Sequence, residues 1–233
     1  YLGHIYSDGL LIAPDIQKAI NYFTLAIDGN HPMAQYNLGC LYYEGKFIKR
    51  DIEKAIYYLS LSANQNNYRA YKVLALIYGD GKYIIPDISK VIYCISQASK
   101  LNDPQSQFIF SNLLFDGKLV HKNIKKALYY LNLSAKSKFL PAQLAQGDLY
   151  LIGKYVERDI EMAVKLYKEI SCFNNQYAKN NLGVIYKNGL FGVEKNLDLA
   201  KEYFHESIQK NCDFLSIYNL SNILLDEEKR DGK

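Results

Sequence analysis

Apolar residues recur along this chain at offsets of three, four and seven, stop at a glycine, and resume behind an Asp or Asn. Such a period belongs to amphipathic helices that bury one stripe. The stretch MAQYNLGCLYYEGKFIKRDIEKAIYYLSLSANQNNYR (33–69) reads as helix, glycine turn, helix, and the remainder of the chain repeats it with substitutions. The turn glycine stands at Gly9, Gly45, Gly81, Gly117, Gly153 and Gly189, each 36 residues after the last. A strict spacing of this kind marks a repeat array. Two short helices cannot bury their apolar faces alone, so stacked neighbours supply the core and the product is an extended surface.

Inside each unit the columns have separate physical roles. Gly3, Gly39, Ala75, Ser111, Gly147, Gly183 and Ser221 are all small. Because glycine inside a helix costs roughly 1 kcal/mol relative to alanine, close approach of a neighbouring helix is the expected reason. Tyr6, Tyr42, Tyr78, Leu114, Tyr150 and Tyr186 lie one turn further on the same face and are expected to pack between helices. The loop glycine accepts the left-handed conformation that ends helices, and Lys46, Lys82, Lys118 and Lys154 complement the helix dipole beside it. Ile12, Ile48, Ile84, Val120, Val156 and Val193 then precede Asp15, Asp51, Asp87, Asn123, Asp159 and Asn196 by three residues. The Asp or Asn reads as the cap of the second helix, and Pro14 and Pro86 force an extended approach to two of them. Ala19, Ala55, Val91, Ala127, Ala163 and Ala200, with Tyr22, Tyr58, Cys94, Tyr130, Leu166 and Tyr203, form the buried stripe of that helix. It ends in Asn-rich turns or turns holding Pro32, Pro104 or Pro141.

Two irregularities stand out. One extra residue lies between Gly189 and Asn196, most simply within Leu190-Phe191-Gly192, and is expected to bulge outward. A seventh first helix runs from Leu215 to about Leu225, with Glu227 in the nearest glycine slot and no second helix after it. The units are 1–32, 33–69, 70–105, 106–141, 142–177, 178–214 and a partial 215–233, read as one continuous array without a visible boundary.

Composition narrows the partner class. Lys plus Arg at 28 against Asp plus Glu at 24 gives a net charge of +4 with no basic run, so nucleic acid is not the expected partner. Hydrophobic residues make up 49%, yet no stretch approaches the roughly 18 consecutive apolar residues of a membrane span, so no membrane insertion is expected. Cys40, Cys94, Cys172 and Cys212 share no repeat position and form no CxxC, which reads as free thiols rather than a disulfide ladder or zinc site. That pattern leans towards the cytoplasm, with secreted and endoplasmic-reticulum locations left open; the sequons at Asn132 and Asn219 fall in predicted helices and settle nothing. The chain opens at Tyr1, partway through a first helix, so the sequence does not speak to any leader.

Candidate chemistry is sparse. The capping Asp series repeats along a solenoid at distances that prevent acid and base from pairing, so its members read as caps. His4, His31, His121 and His205 occupy different repeat positions without ligand-spaced partners. Gly79-Asp80-Gly81-Lys82 lacks the first glycine and following Ser or Thr of a phosphate loop. Nine of the 22 tyrosines fall in the recurring helix-packing columns, which favours core packing over base stacking. No catalytic residue, metal site or cofactor is indicated, and the chain is read as a non-enzyme.

The pattern Ala34, Leu38-Gly39, Tyr42, Gly45-Lys46, Ile48, Asp51, Lys54-Ala55 resembles the Sel-one-like repeat (SLR) family across essentially the whole chain. Tetratricopeptide repeats share the L-G-x-x-Y core but have a period of 34 residues. The resemblance implies an all-α fold, a right-handed α-solenoid of about six SLR hairpins plus one terminal helix, with the first helices lining a concave face. It also implies adaptors for protein complexes; the cysteine-rich branch of the family, with a disulfide in each repeat, is not matched. Just before the L-G pair stand Asn37, Asn181 and Asn219, with Val73, Ile109 and Ala145 in the same slot of the middle units. These asparagines are candidates to bond an extended peptide, and solvated helix asparagines are the plain alternative. Tyr36, Arg69, Lys72, Asn112, Asp148 and Lys187 are further groove candidates by phase. The expected function is a non-catalytic adaptor binding a protein or peptide on its concave face, with a regulatory arm of a larger enzyme as the alternative.

Overall fold

The computed structural model describes residues 16–190, 192–209 and 213–230, and these form twelve helices with no strand. In order they are α1 (Ile16–Asp28), α2 (Pro32–Glu44), α3 (Ile52–Asn64), α4 (Tyr68–Asp80), α5 (Ile88–Lys100), α6 (Pro104–Asp116), α7 (Ile124–Lys136), α8 (Leu140–Ile152), α9 (Ile160–Ser171), α10 (Gln176–Asn188), α11 (Leu197–Ile208) and α12 (Phe214–Arg230). The readings placed on Gly3, His4, Tyr6, Gly9, Ile12, Pro14, Asp15, Phe191 and Cys212 lie outside the described residues.

Each hairpin is written by local chemistry. Gly45, Gly81, Gly117, Gly153 and Gly189 all hold positive φ, between 60° and 75°, where a side chain would be strained. Asp51, Asp87, Asn123, Asp159 and Asn196 each accept a hydrogen bond from the backbone N–H three residues on, at 2.9–3.0 Å. The backbone N–H of each cap also donates back to a carbonyl of the first helix: Tyr42, Tyr78, Leu114, Tyr150 and Tyr186, at 2.9–3.1 Å. Each of these five loops is thus anchored at both ends. In the loop before Asn196, Val193 N–H donates to the Leu190 carbonyl at 3.1 Å.

The turns between hairpins have their own period. Asn30, Asn66, Asn102, Lys138 and Asn174 all adopt left-handed backbone, with φ from 57° to 63°. Asparagine tolerates this region better than most residues, and Lys138 is the exception.

The chain divides into two compact units, residues 1–133 and 134–233, and the division falls inside α7. In the first, Phe23, Leu38 and Leu41 lead one cluster, Leu59, Leu74 and Ile77 the next, and Phe110, Leu114 and Tyr130 a third. In the second, Tyr167, Ile170, Leu182 and Ile185 form one cluster and Phe204, Leu220 and Ile223 another. The small-residue column explains the close seams. A Cβ on Gly39 would meet Leu59 Cγ at 2.7 Å, one on Gly147 would meet Tyr167 Cε1 at 2.8 Å, and one on Gly183 would meet Phe204 Cε1 at 2.5 Å.

Two expectations are corrected. The tyrosine columns do pack between helices, with Tyr42 stacked on Tyr58 and Tyr186 on Tyr203, each at 5.9 Å between ring centroids, but they are half-buried at the seam rather than core. Tyr130 is buried, whereas Tyr22 is exposed. A phenol keeps its hydroxyl wet while its ring packs, which fits the open edge of a seam. The last helix runs to Arg230 instead of stopping near Leu225. Glu227 occupies the glycine slot, and instead of ending the helix its carboxylate takes Lys201 Nζ at 2.9 Å.

Candidate functional site

Two pairs of first helices, one pair within each unit, meet through slots that are 33 residues apart in sequence: Leu76 with Ile109 in the first unit and Asp148 with Asn181 in the second. In the first unit Leu76 and Ile109 line a groove of about 270 Å³ between α4 and α6, floored by Val91 and Ile95 of α5 and completed by Lys72, Ala75, Gln105 and Ser106. Leu76 is 62% exposed and Ile109 37% exposed. The rim is polar and fixed. Lys72 Nζ lies 3.3 Å from Asp103 Oδ1, while buried Asp103 caps α6 by accepting from Ser106 N–H at 2.8 Å and from its hydroxyl at 2.6 Å.

In the second unit the same pair of slots is polar. Asn181 Nδ2 of α10 donates to Asp148 Oδ1 of α8 at 3.3 Å, and the hydroxyl of Tyr167 in α9 donates to the same oxygen at 2.6 Å. Tyr167 is fully buried, and burial, then the adjacent carboxylate, holds its phenol far above the usual range, so it remains a proton donor. Two sequence candidates are therefore brought into direct contact. Asn219 instead reaches Asn180 Oδ1 at 3.4 Å, beside the Ser216 hydroxyl bonded to that oxygen at 3.1 Å. Lys187 lines a separate cleft with Lys195, Asp226 and Glu227.

The remaining candidates sit in the first unit. Burial, and then neighbouring Cys40, push the half-buried Tyr36 phenol up to about 12. Arg69 is exposed, its guanidinium 6.0 Å from the Tyr68 ring centroid, and Asn112 is exposed on α6. Asn37 is half-buried on α2.

Sequence reasoning missed Leu76 and Tyr167. Leu76 carried no polar signal. Tyr167 did carry one: its second-helix column holds Leu59, Ile95, Leu131 and Phe204 elsewhere, so a hydroxyl there is out of keeping. Among the described residues no group of three or more His, Cys, Asp or Glu is placed to hold a metal ion, and no helix is long and apolar enough to cross a membrane. Cys40, Cys94 and Cys172 are free thiols.

The Sel1 repeat family profile matches residues 1–31, 32–67, 69–103, 104–139, 141–171 and 176–212. The fold is similar to a protective antigen of uropathogenic Escherichia coli displaying an SLR fold, at 22% identity and a TM-score of 0.86, covering 97% of this chain and 48% of that one. It is also similar to a Sel1 repeat protein from Oxalobacter formigenes, at 23% identity and a TM-score of 0.72, covering 94% of this chain and 63% of the other. The chain thus spans about half to under two thirds of these two proteins. No curated protein matches it significantly. Proteins built from this repeat generally serve as protein–protein interaction scaffolds.

Proposed function

Since the chain belongs to the Sel1 repeat family, we propose that it is a non-catalytic adaptor holding a segment of a partner protein on the face made by its first helices, the concave one by family resemblance. The observation that carries this reading is the apolar groove at Leu76 and Ile109. Large aliphatic side chains left to water in a preformed concavity favour an apolar partner side chain. The proposed contact residues are Tyr36, Asn37, Arg69, Lys72 and Asn112 in the first unit and, as a set of their own, Asp148, Asn181, Lys187 and Asn219 in the second.

The test is selection of peptide ligands from a random display library on the intact chain, followed by titration against Leu76→Asp and Ile109→Asp. Binding is expected to fall roughly tenfold or more, with the melting curve little changed for Leu76→Asp, whose side chain is mostly exposed. Undiminished binding by both variants would move the site away from this groove.

A further inference from the structure

Asp148 has no cation within ion-pairing distance among the described residues. Its partners are neutral donors, Tyr167 Oη and Asn181 Nδ2, both on Oδ1. The carboxylate is half-buried at the junction of two first helices, in the slot that Leu76 fills beside the groove of the first unit. Core packing does not require this arrangement. Phe204 occupies the Tyr167 column one repeat later, against Gly183 just as Tyr167 lies against Gly147. A phenylalanine therefore fits the space, and the added hydroxyl serves to hold Asp148.

Resting on the adaptor reading above, we infer that Asp148, oriented by Tyr167 and Asn181, is the anchor for a basic side chain, Lys or Arg, of the bound partner segment. A carboxylate pre-oriented by neutral donors keeps its full charge for an incoming cation, and one oxygen, Oδ2, is outside both hydrogen bonds. Asn181 keeps its amide oxygen as an acceptor for a second N–H of a guanidinium or of the peptide backbone. Tyr167 is a positioning residue. It lies beneath the surface and acts through the carboxylate.

The experiment uses the full chain and the peptides selected on it. Supporting results are Lys or Arg enrichment at one position, loss of affinity of roughly tenfold with Asp148→Asn, and an equal loss when that basic residue becomes norleucine. Tyr167→Phe is expected to lower affinity for the basic peptide roughly threefold and to leave the norleucine peptide unchanged, a distinction that a general loss of folding would not produce. Selected peptides without a basic preference, or bound equally by Asp148→Asn, overturn the anchor while the adaptor reading survives. If no peptide binds specifically, or all selected peptides depend on neither unit's first helices, the adaptor reading and the anchor fall together.

Discussion

Ser111 sits in the small-residue column, fully buried, and its hydroxyl has no hydrogen-bond partner. Its counterpart one repeat earlier is Ala75. Ser111→Ala removes a desolvated polar group without opening a cavity, and is expected to raise stability by about 1 kcal/mol in denaturant unfolding. Lys138 takes the left-handed backbone that asparagine takes in the other inter-hairpin turns. Lys138→Asn is expected to add ~0.5 kcal/mol, read as a higher melting temperature. The thiols carry a pH dependence. Burial pushes Cys40 and Cys94 from the ordinary 9 up to about 11. A thiol that holds its proton more tightly when folded contributes stability fully below about pH 9 and loses it as pH rises through about 11. Melting temperature is therefore expected to fall across that window, and less steeply in a Cys40→Ala, Cys94→Ala variant.

Helices and their junctions separate two kinds of glycine. Gly183 has Phe204 against its missing side chain, and Phe204 is fully buried with nowhere to move. Gly183→Ala gains helix propensity but overpacks the seam, and a net loss of at least about 1 kcal/mol is expected. Gly79 also lies in a helix but is exposed, and a Cβ there would only touch Val91 Cγ2 at 3.4 Å. Gly79→Ala is expected to stabilise by up to about 1 kcal/mol, so the same substitution has opposite signs in two helices. The stopping glycines and the caps were legible in sequence because each acts within a few residues of itself. The meeting of Asp148 with Asn181 was not, because two helices from different hairpins must pack before a 33-residue offset becomes a contact. Each residue had been singled out separately by helical phase. The tyrosine columns pack between helices as their phase implies but less deeply than expected, because a period of 3.6 says which residues share a face and not how much water reaches it.

For the molecule as a whole, the repeat fold was legible from one recurring column of glycines, and the Sel1 repeat profile matches six segments of the chain. The partner was not legible, since the positions that differ from repeat to repeat are those that packing leaves alone. Two first-helix junctions, one in each unit, carry different chemistry: Leu76 with Ile109 in the first, Asp148 with Asn181 in the second. On the adaptor proposal, the chemistry of each junction selects its own partner side chain. An exchange of Leu76→Asp with Ile109→Asn is accordingly expected to change which peptides are selected on the chain, with the helical content by circular dichroism unaltered.

The double anchoring of the five described hairpin loops has a further consequence. With the glycine held at one end and the cap clipped to the first helix at the other, the residues between them work as an expansion joint, and the loop between Gly189 and Asn196 is already one residue longer than the others in sequence. Doubling the loop between Gly153 and Asp159 would cost only about 0.6 kcal/mol in closure entropy. A hairpin can therefore gain new surface at its own loop without altering the register of the two helices it joins.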